Sequence, residues 1–306
     1  MDNCYLNLFN CPLHGLGVAP VRLANMRNHF LEVTMIIDGH AHSCGDFYDA
    51  DNVVRILDKL KVDKIVLCPG PLNDQKKYNF PMLTFNSNKD IMLFLSKIIR
   101  LIGSLLYNNN DLSERNAFVH SMVGKYPDRI IQFLWINPSS QEVLSYIKDT
   151  YSAWNYAGIK AHQCFEKFSS SSSAMHSIAE FCQDKGIPFF IHFYSLKDID
   201  GFIDLATKYP NTNFIVGHLI GLELFEIHRD KINNVYFDIS PTPYLAENRI
   251  LRVIRAFGAD RIIFGSDTPY GTENLKNGID KVNSMNIDSQ EREKIMGLNM
   301  KRLLNI

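Results

Sequence analysis

The 306-residue chain is 46% apolar and 21% charged and carries a net charge of −1, a globular composition that lets the chain bury roughly three quarters of its unfolded surface. Balanced charge gives no basic bias for nucleic acid, and the N-terminus lacks the basic start and continuous apolar core of a secretory signal. The six cysteines (Cys4, Cys11, Cys44, Cys68, Cys164, Cys182) are scattered without a CxxC pair and read as reduced thiols, hence a cytoplasmic protein.

The first 34 residues fit no strand–helix unit. Met35 stands immediately before the first apolar run, so 1–34 is expected to be a disordered arm or a mis-assigned start, and the folded domain to span 35–306. From there short β-branched runs alternate with amphipathic segments. The runs are MIID (35–38), KIVLC (64–68), IIQFLWI (130–136), AGIKA (157–161), PFFIHF (188–193), NFIVGH (213–218), VYFDIS (235–240) and RIIFGSD (261–267). Helical patterns such as DNVVRILDKL (51–60), MHSIAEFCQDKG (175–186) and NRILRVIRAFG (248–258) lie between them. Near-continuous apolar strands suit a parallel sheet covered by helices. Eight alternations predict an α/β chain closed into a (β/α)8 TIM barrel, with an open doubly wound sheet as the alternative.

One interval breaks the rhythm. Residues 71–127 form an extended insertion after the second strand, predicted to hold two helices, near 91–107 and 111–126, and to cap the barrel mouth. The stretch IMLFLSKIIRLIGSLLY (91–107) is short for a membrane span and carries Lys97 and Arg100. It reads as a soluble helix with a wide apolar face that packs in the core or offers a homodimer surface; no membrane partner is expected. The serine run 169–173 reads as a flexible loop after the fourth strand.

Five of the ten histidines (His40, His42, His162, His192, His218) fall at or just past the C-terminal end of a predicted strand, and the eighth strand ends in Asp267. In a parallel barrel those ends converge on one mouth, where barrel enzymes place their sites. Side chains two apart on a strand share a face, so His40 and His42 both point inward and can chelate a divalent ion. With His192 and Asp267 the set becomes three nitrogens and a carboxylate, which suits zinc first, and also manganese or iron. Asp267 followed by Thr and Pro is also a fair helix N-cap; Asp238 and Ser240 at the end of strand seven line the pocket or, in the favoured account, Asp238 is a satisfied buried carboxylate.

The ordered series IIDGHAH, GIKAHQ, FFIHF, FIVGH and IIFGSDTPY, with the closing GLNMKRLLNI, resembles the amidohydrolase-related superfamily of metal-dependent barrels over residues 35–306. The resemblance implies that His40, His42, His192 and Asp267 hold the metal and that His218 is the catalytic imidazole beside the substrate carbonyl or carboxyl. Relatives often read GIKxHP, whereas Gln163 stands here in place of the proline. Lys160 and His162 are expected as substrate-binding contacts in a one-metal site; a binuclear site bridged by a modified Lys160 is the less favoured alternative.

Physical roles follow for the same residues. A divalent ion lowers the pKa of bound water from about 15.7 towards 7. Asp267 can take and pass on the proton, and His218 can stabilise a developing oxyanion. The leading expectation is a hydrolase using metal-activated water on a small polar ester, lactone or amide-like substrate. The alternative is a non-oxidative decarboxylase or hydratase of a small carboxylic acid on the same metal. A nuclease of the TatD type is disfavoured because the fourth strand offers lysine where those relatives place a glutamate.

Overall fold

Eight parallel strands follow one another around a single sheet in sequence order: β1 (Ile37–His42), β2 (Lys64–Cys68), β3 (Ile130–Trp135), β4 (Gly158–His162), β5 (Phe189–His192), β6 (Phe214–Val216), β7 (Val235–Asp238) and β8 (Ile262–Ile263). The computed structural model describes residues 35–75, 90–106, 112–268 and 273–306, with 102–106 as backbone only; the expectation for 1–34 lies outside the described residues. Backbone hydrogen bonds join β1 to the segment after β8. Gly39 N–H donates to Phe264 O at 2.9 Å, Asp267 N–H to His40 O at 2.7 Å, and His42 N–H to Thr268 O at 2.8 Å. These bonds give the (β/α)8 TIM barrel rather than an open sheet.

Alternation along the strands sorts the apolar residues into two clusters, because successive side chains point to opposite faces. Ile37, Val66, Phe133, Phe190, Ile215 and Ile263 fill the barrel, while Ile65, Leu67, Leu134, Ile159 and Ile191 pack outward under the helices. Met300 and Leu303, from the last helix, join the interior cluster and plug the end opposite the strand C-termini. Gly297 is required there. A Cβ on it would stand 2.3 Å from the Met35 carbonyl oxygen, and backbone cannot rotate away as a side-chain end can.

Helices α1 (Ala50–Leu60), α4 (Val143–Trp154), α5 (Ser173–Lys185), α6 (Ile199–Lys208), α7 (Leu222–Ile227), α8 (Glu247–Phe257) and α9 (Glu273–Ser284) surround the strands. Between β2 and β3 the expected excursion carries α2 (Ile91–Leu106) and α3 (Leu112–Lys125). The serine run proves to be a helix start tied to its neighbour rather than a loose connector. Ser172 caps α5, and Asp198 accepts from Ser170 N–H at 2.9 Å and Ser170 Oγ–H at 2.6 Å.

Helix α2 faces two ways. Its inner side brings Ser96 and Arg100 to the barrel mouth, Arg100 donating to the Gln163 carbonyl at 2.6 Å. Its outer side exposes Phe94, Ile98 and Leu101. Among the described residues, no helix is long and apolar enough to cross a membrane.

Candidate metal centre

His40 and His42 reach the mouth from β1, where the register against β2 slips by one residue between Asp38 and Ala41. Such a bulge re-aims side chains near a site. The two imidazole centroids lie 5.2 Å apart. His40 Nδ1 faces Ser240 Oγ at 2.8 Å and Asp238 Oδ2 at 3.2 Å. His42 Nδ1 donates to the Pro69 carbonyl at 3.1 Å. A carboxylate and a carbonyl only accept, so both rings carry their proton on Nδ1 and turn the Nε2 lone pairs to the centre. There Asp267 Oδ1 lies 3.6 Å from His40 Nε2 and 3.5 Å from His42 Nε2.

These three residues offer ligand atoms all within 4.8 Å of one another. Burial, then the nearby Lys160 charge, holds both imidazoles below their ordinary pKa. Burial pushes the Asp267 carboxyl up, but the charge of His218 and the His42 contact outweigh it and leave it below its ordinary value. Neutral nitrogens and an ionised carboxylate are the forms a divalent ion requires. The donor set therefore fits one, and its mixed N/O character accommodates zinc, manganese or iron alike.

His192 stands beside this cluster. Its Nε2 accepts from Ser96 Oγ–H at 2.8 Å, and its Nδ1 lies 2.9 Å from His218 Nε2. His218 Nδ1 donates to the Ser240 carbonyl at 2.7 Å, which leaves its Nε2 to accept and fixes the proton of His192 on Nδ1. A directed chain results, from Ser96 through His192 to His218, whose Nε2 also lies 3.9 Å from Asp267 Oδ2.

His192 also groups with His162 and Cys164, but that set is a poor ion site. The His162 and His192 rings stack at 3.8 Å and 17°, so their in-plane lone pairs run parallel instead of converging. His162 Nδ1 accepts from Cys164 N–H at 3.2 Å, which places its proton on Nε2. Burial pushes the Cys164 thiol up to about 12, so at neutral pH it stands as a thiol, donating to the Ser96 carbonyl at 3.3 Å, and is no activated nucleophile.

The structure thus brings His40, His42, Asp267 and His218 together, sets His192 against His218, and sandwiches His162 between His192 and the Trp135 indole, 5.3 Å away and 6° from parallel. Lys160, wholly buried on β4, directs its ammonium at His40 Nε2 and lies 3.4 Å from His42 Nε2.

Three participants, Ser96, Trp135 and Glu166, escaped the sequence reading, and the part played by Asp238 was left open. Ser96 reaches the site from a helix whose apolar pattern hid one inward serine. Asp238 had been given no partner, yet it supports His40 and accepts from the His218 backbone N–H at 3.3 Å; its Ser240 neighbour donates to it at 2.5 Å. Trp135 forms a wall. Glu166, 1% exposed, accepts from Trp135 Nε1 at 3.1 Å, and burial raises its carboxyl to about 8.

Comparison with known proteins places these observations. A family model described as Amidohydrolase matches residues 111–306. No curated protein matches in sequence. Among solved structures, 2,6-dihydroxybenzoate decarboxylase from Rhizobium superposes with a TM-score of 0.58 at 14% identity, over 89% of this chain and 98% of that one. For 5-carboxyvanillate decarboxylase from Sphingomonas paucimobilis the TM-score is 0.61 at 11% identity, over 89% and 99%. A dihydroxybenzoic acid decarboxylase from Polaromonas sp. JS666, with bound manganese and the inhibitor 2-nitroresorcinol, gives 0.58 at 16%, over 89% and 97%.

Proposed function

The chain belongs to the amidohydrolase family, and from that premise we propose that it is a metal-dependent, non-oxidative decarboxylase of a small carboxylic acid. The observation that carries this reading is the convergence of two neutral imidazole Nε2 atoms and the Asp267 carboxylate beside His218. It is supported by solved neighbours that are themselves decarboxylases, one with manganese bound. His40, His42 and Asp267 hold the ion, with His192 as the fourth donor once its Nε2 leaves Ser96. Manganese and zinc are the candidate ions.

The ion, when bound, supplies a positive centre that polarises a substrate oxygen or acidifies a water. The residues do the rest. Decarboxylation breaks the bond between the carboxyl carbon and its neighbour; CO2 leaves, and the electron pair stays on that neighbour and takes up a proton. His218 can deliver that proton. A proton taken up from solvent water on His218 Nε2 makes an imidazolium facing Asp267 Oδ2, a carboxylate that stabilises it, and passing it to the carbon returns His218 to the neutral form.

Hydrolysis of an ester, lactone or amide, the leading expectation from sequence, becomes the second reading; it rests on the family description and uses the same His218 and Asp267. Product analysis separates the two. Manganese- or zinc-loaded protein is incubated with hydroxylated benzoates, including 2,6-dihydroxybenzoate and 5-carboxyvanillate, and in parallel with a lactone and ester panel. CO2 release that collapses in His218→Asn while metal content holds is the expected result. Turnover of the lactones or esters with no CO2 from any acid refutes decarboxylation in favour of hydrolysis.

A further inference from the structure

Lys160 is the buried cation that the metal reading does not use. It is fully enclosed on β4, paired in register with Trp135 on one side and Phe190 on the other. Its hydrogen-bonding partners among the described residues are His40 Nε2 and His42 Nε2. Those lone pairs are the ones turned inward by Asp238, Ser240 and the Pro69 carbonyl. An imidazole nitrogen has one lone pair, which either accepts a hydrogen bond or binds an ion, never both.

We propose that Lys160 is a resident cation that competes with the metal ion for the His40 and His42 Nε2 atoms and has to swing aside for the ion to bind. The inference rests on the reading that these residues hold a metal. It differs from a ligand role for Lys160, because it makes the lysine an opponent of metal binding rather than a contributor. Two features favour exchange over a fixed contact. Lysine is a flexible stem carrying a point charge that accepts several donor geometries. The ammonium also lies 4.6 Å from the Phe190 ring centroid and 5.5 Å from that of Trp135, within the range of cation–π attraction, so the imidazole lone pairs are not its sole source of stabilisation. The positive charge of the ammonium opposes an ion at close range.

The test measures metal affinity without turnover. Wild type, Lys160→Met and Lys160→Gln are stripped with chelator, and Mn2+ and Zn2+ are titrated by calorimetry and by chelator competition. Removal of the charge is expected to tighten binding about tenfold or more in both variants, and the rise in Tm on adding metal to exceed that of wild type. Apo Tm verifies folding, and the glutamine variant keeps a polar group in place should methionine fail to fold. Equal affinity in all three proteins overturns the proposal and leaves the metal reading standing. Weaker binding in the variants overturns it in favour of Lys160 as a ligand or ligand support. No binding of either ion to any of the three overturns the metal reading and this proposal together.

Discussion

Asp238→Asn isolates the support behind His40, one of the proposed metal ligands. The wild-type carboxylate accepts from four donors. Ser240 N–H reaches Oδ1 at 2.9 Å, while Ser240 Oγ–H at 2.5 Å, His40 Nδ1–H at 3.2 Å and His218 N–H at 3.3 Å converge on Oδ2. Asparagine keeps the shape and one acceptor oxygen, which Ser240 N–H retains. Its amide nitrogen then meets three donors with two of its own. His40 loses the acceptor that fixes its proton on Nδ1, and with it the Nε2 lone pair directed at the centre. Loss of such a partner typically costs 10–100-fold in metal affinity, about 1.4–2.8 kcal/mol. Chelator competition with Mn2+ or Zn2+ reads that change directly. Ser240→Ala, which removes one contact to Asp238 and one to His40, should fall between wild type and Asp238→Asn. An affinity unchanged within twofold in a folded Asp238→Asn protein would refute the argument that Asp238 sets the His40 tautomer.

Two further outcomes follow from the fold around the site. The Glu166 carboxyl is raised by burial from 4.5 to about 8, so folding favours its protonated form; the associated stability is complete below about pH 4.5 and is lost as pH rises through about 8. Glu166→Gln removes that dependence, and the variant should gain on wild type steadily from pH 5 to pH 9, by ~5 kcal/mol as an upper limit at 1.36 kcal/mol per pH unit; parallel urea-denaturation stabilities at pH 6 and 9 would contradict it. Gly297→Ala forces its Cβ against the Met35 carbonyl, at a cost of about 1–3 kcal/mol. The check is a lower Tm with metal affinity unaltered, since the clash lies at the barrel end away from the ligands.

The barrel was legible because its signal is local and repeated. Each strand announces itself as a β-branched run, and in-sequence pairing needs no long-range information once all strands are parallel. The histidines were legible for a related reason: they fall at strand ends, so knowing that the ends converge was enough to gather His40, His42, His162, His192 and His218 at one mouth with Asp267. What failed to show was everything that depends on a side chain's partner rather than its position. His192 ends its strand as expected, but its Nε2 direction is set by Ser96 from a helix about a hundred residues earlier. His162 shares the β4 face with Lys160, yet stacking between Trp135 and His192 turns its ring edge away from the centre. Asp238 looked like an ordinary strand-end carboxylate because its partners come from β1 and from the turn after β6.

Backbone shape was the other hidden quantity, and it lies at the site itself. His218, Leu219 and Asp267 adopt left-handed conformations at φ 63°, 55° and 48°, a region that costs non-glycine residues about 1–3 kcal/mol each. Glycine would relieve the strain and forfeit the imidazole and the carboxylate, so at these positions chemistry and conformation pull in opposite directions. The fold resolves the conflict at the β8–β1 seam. Asp267 in its left-handed turn donates its N–H to the His40 carbonyl, and His42 donates to the Thr268 carbonyl one residue beyond. The hydrogen bonds that close the barrel are therefore the ones that set His40, His42 and Asp267, the three candidate donors, against each other. Opening that seam would separate the ligands, and an ion bridging His40, His42 and Asp267 would in turn hold the seam shut. The same backbone hydrogen bonds thus serve both barrel closure and the placement of His40, His42 and Asp267.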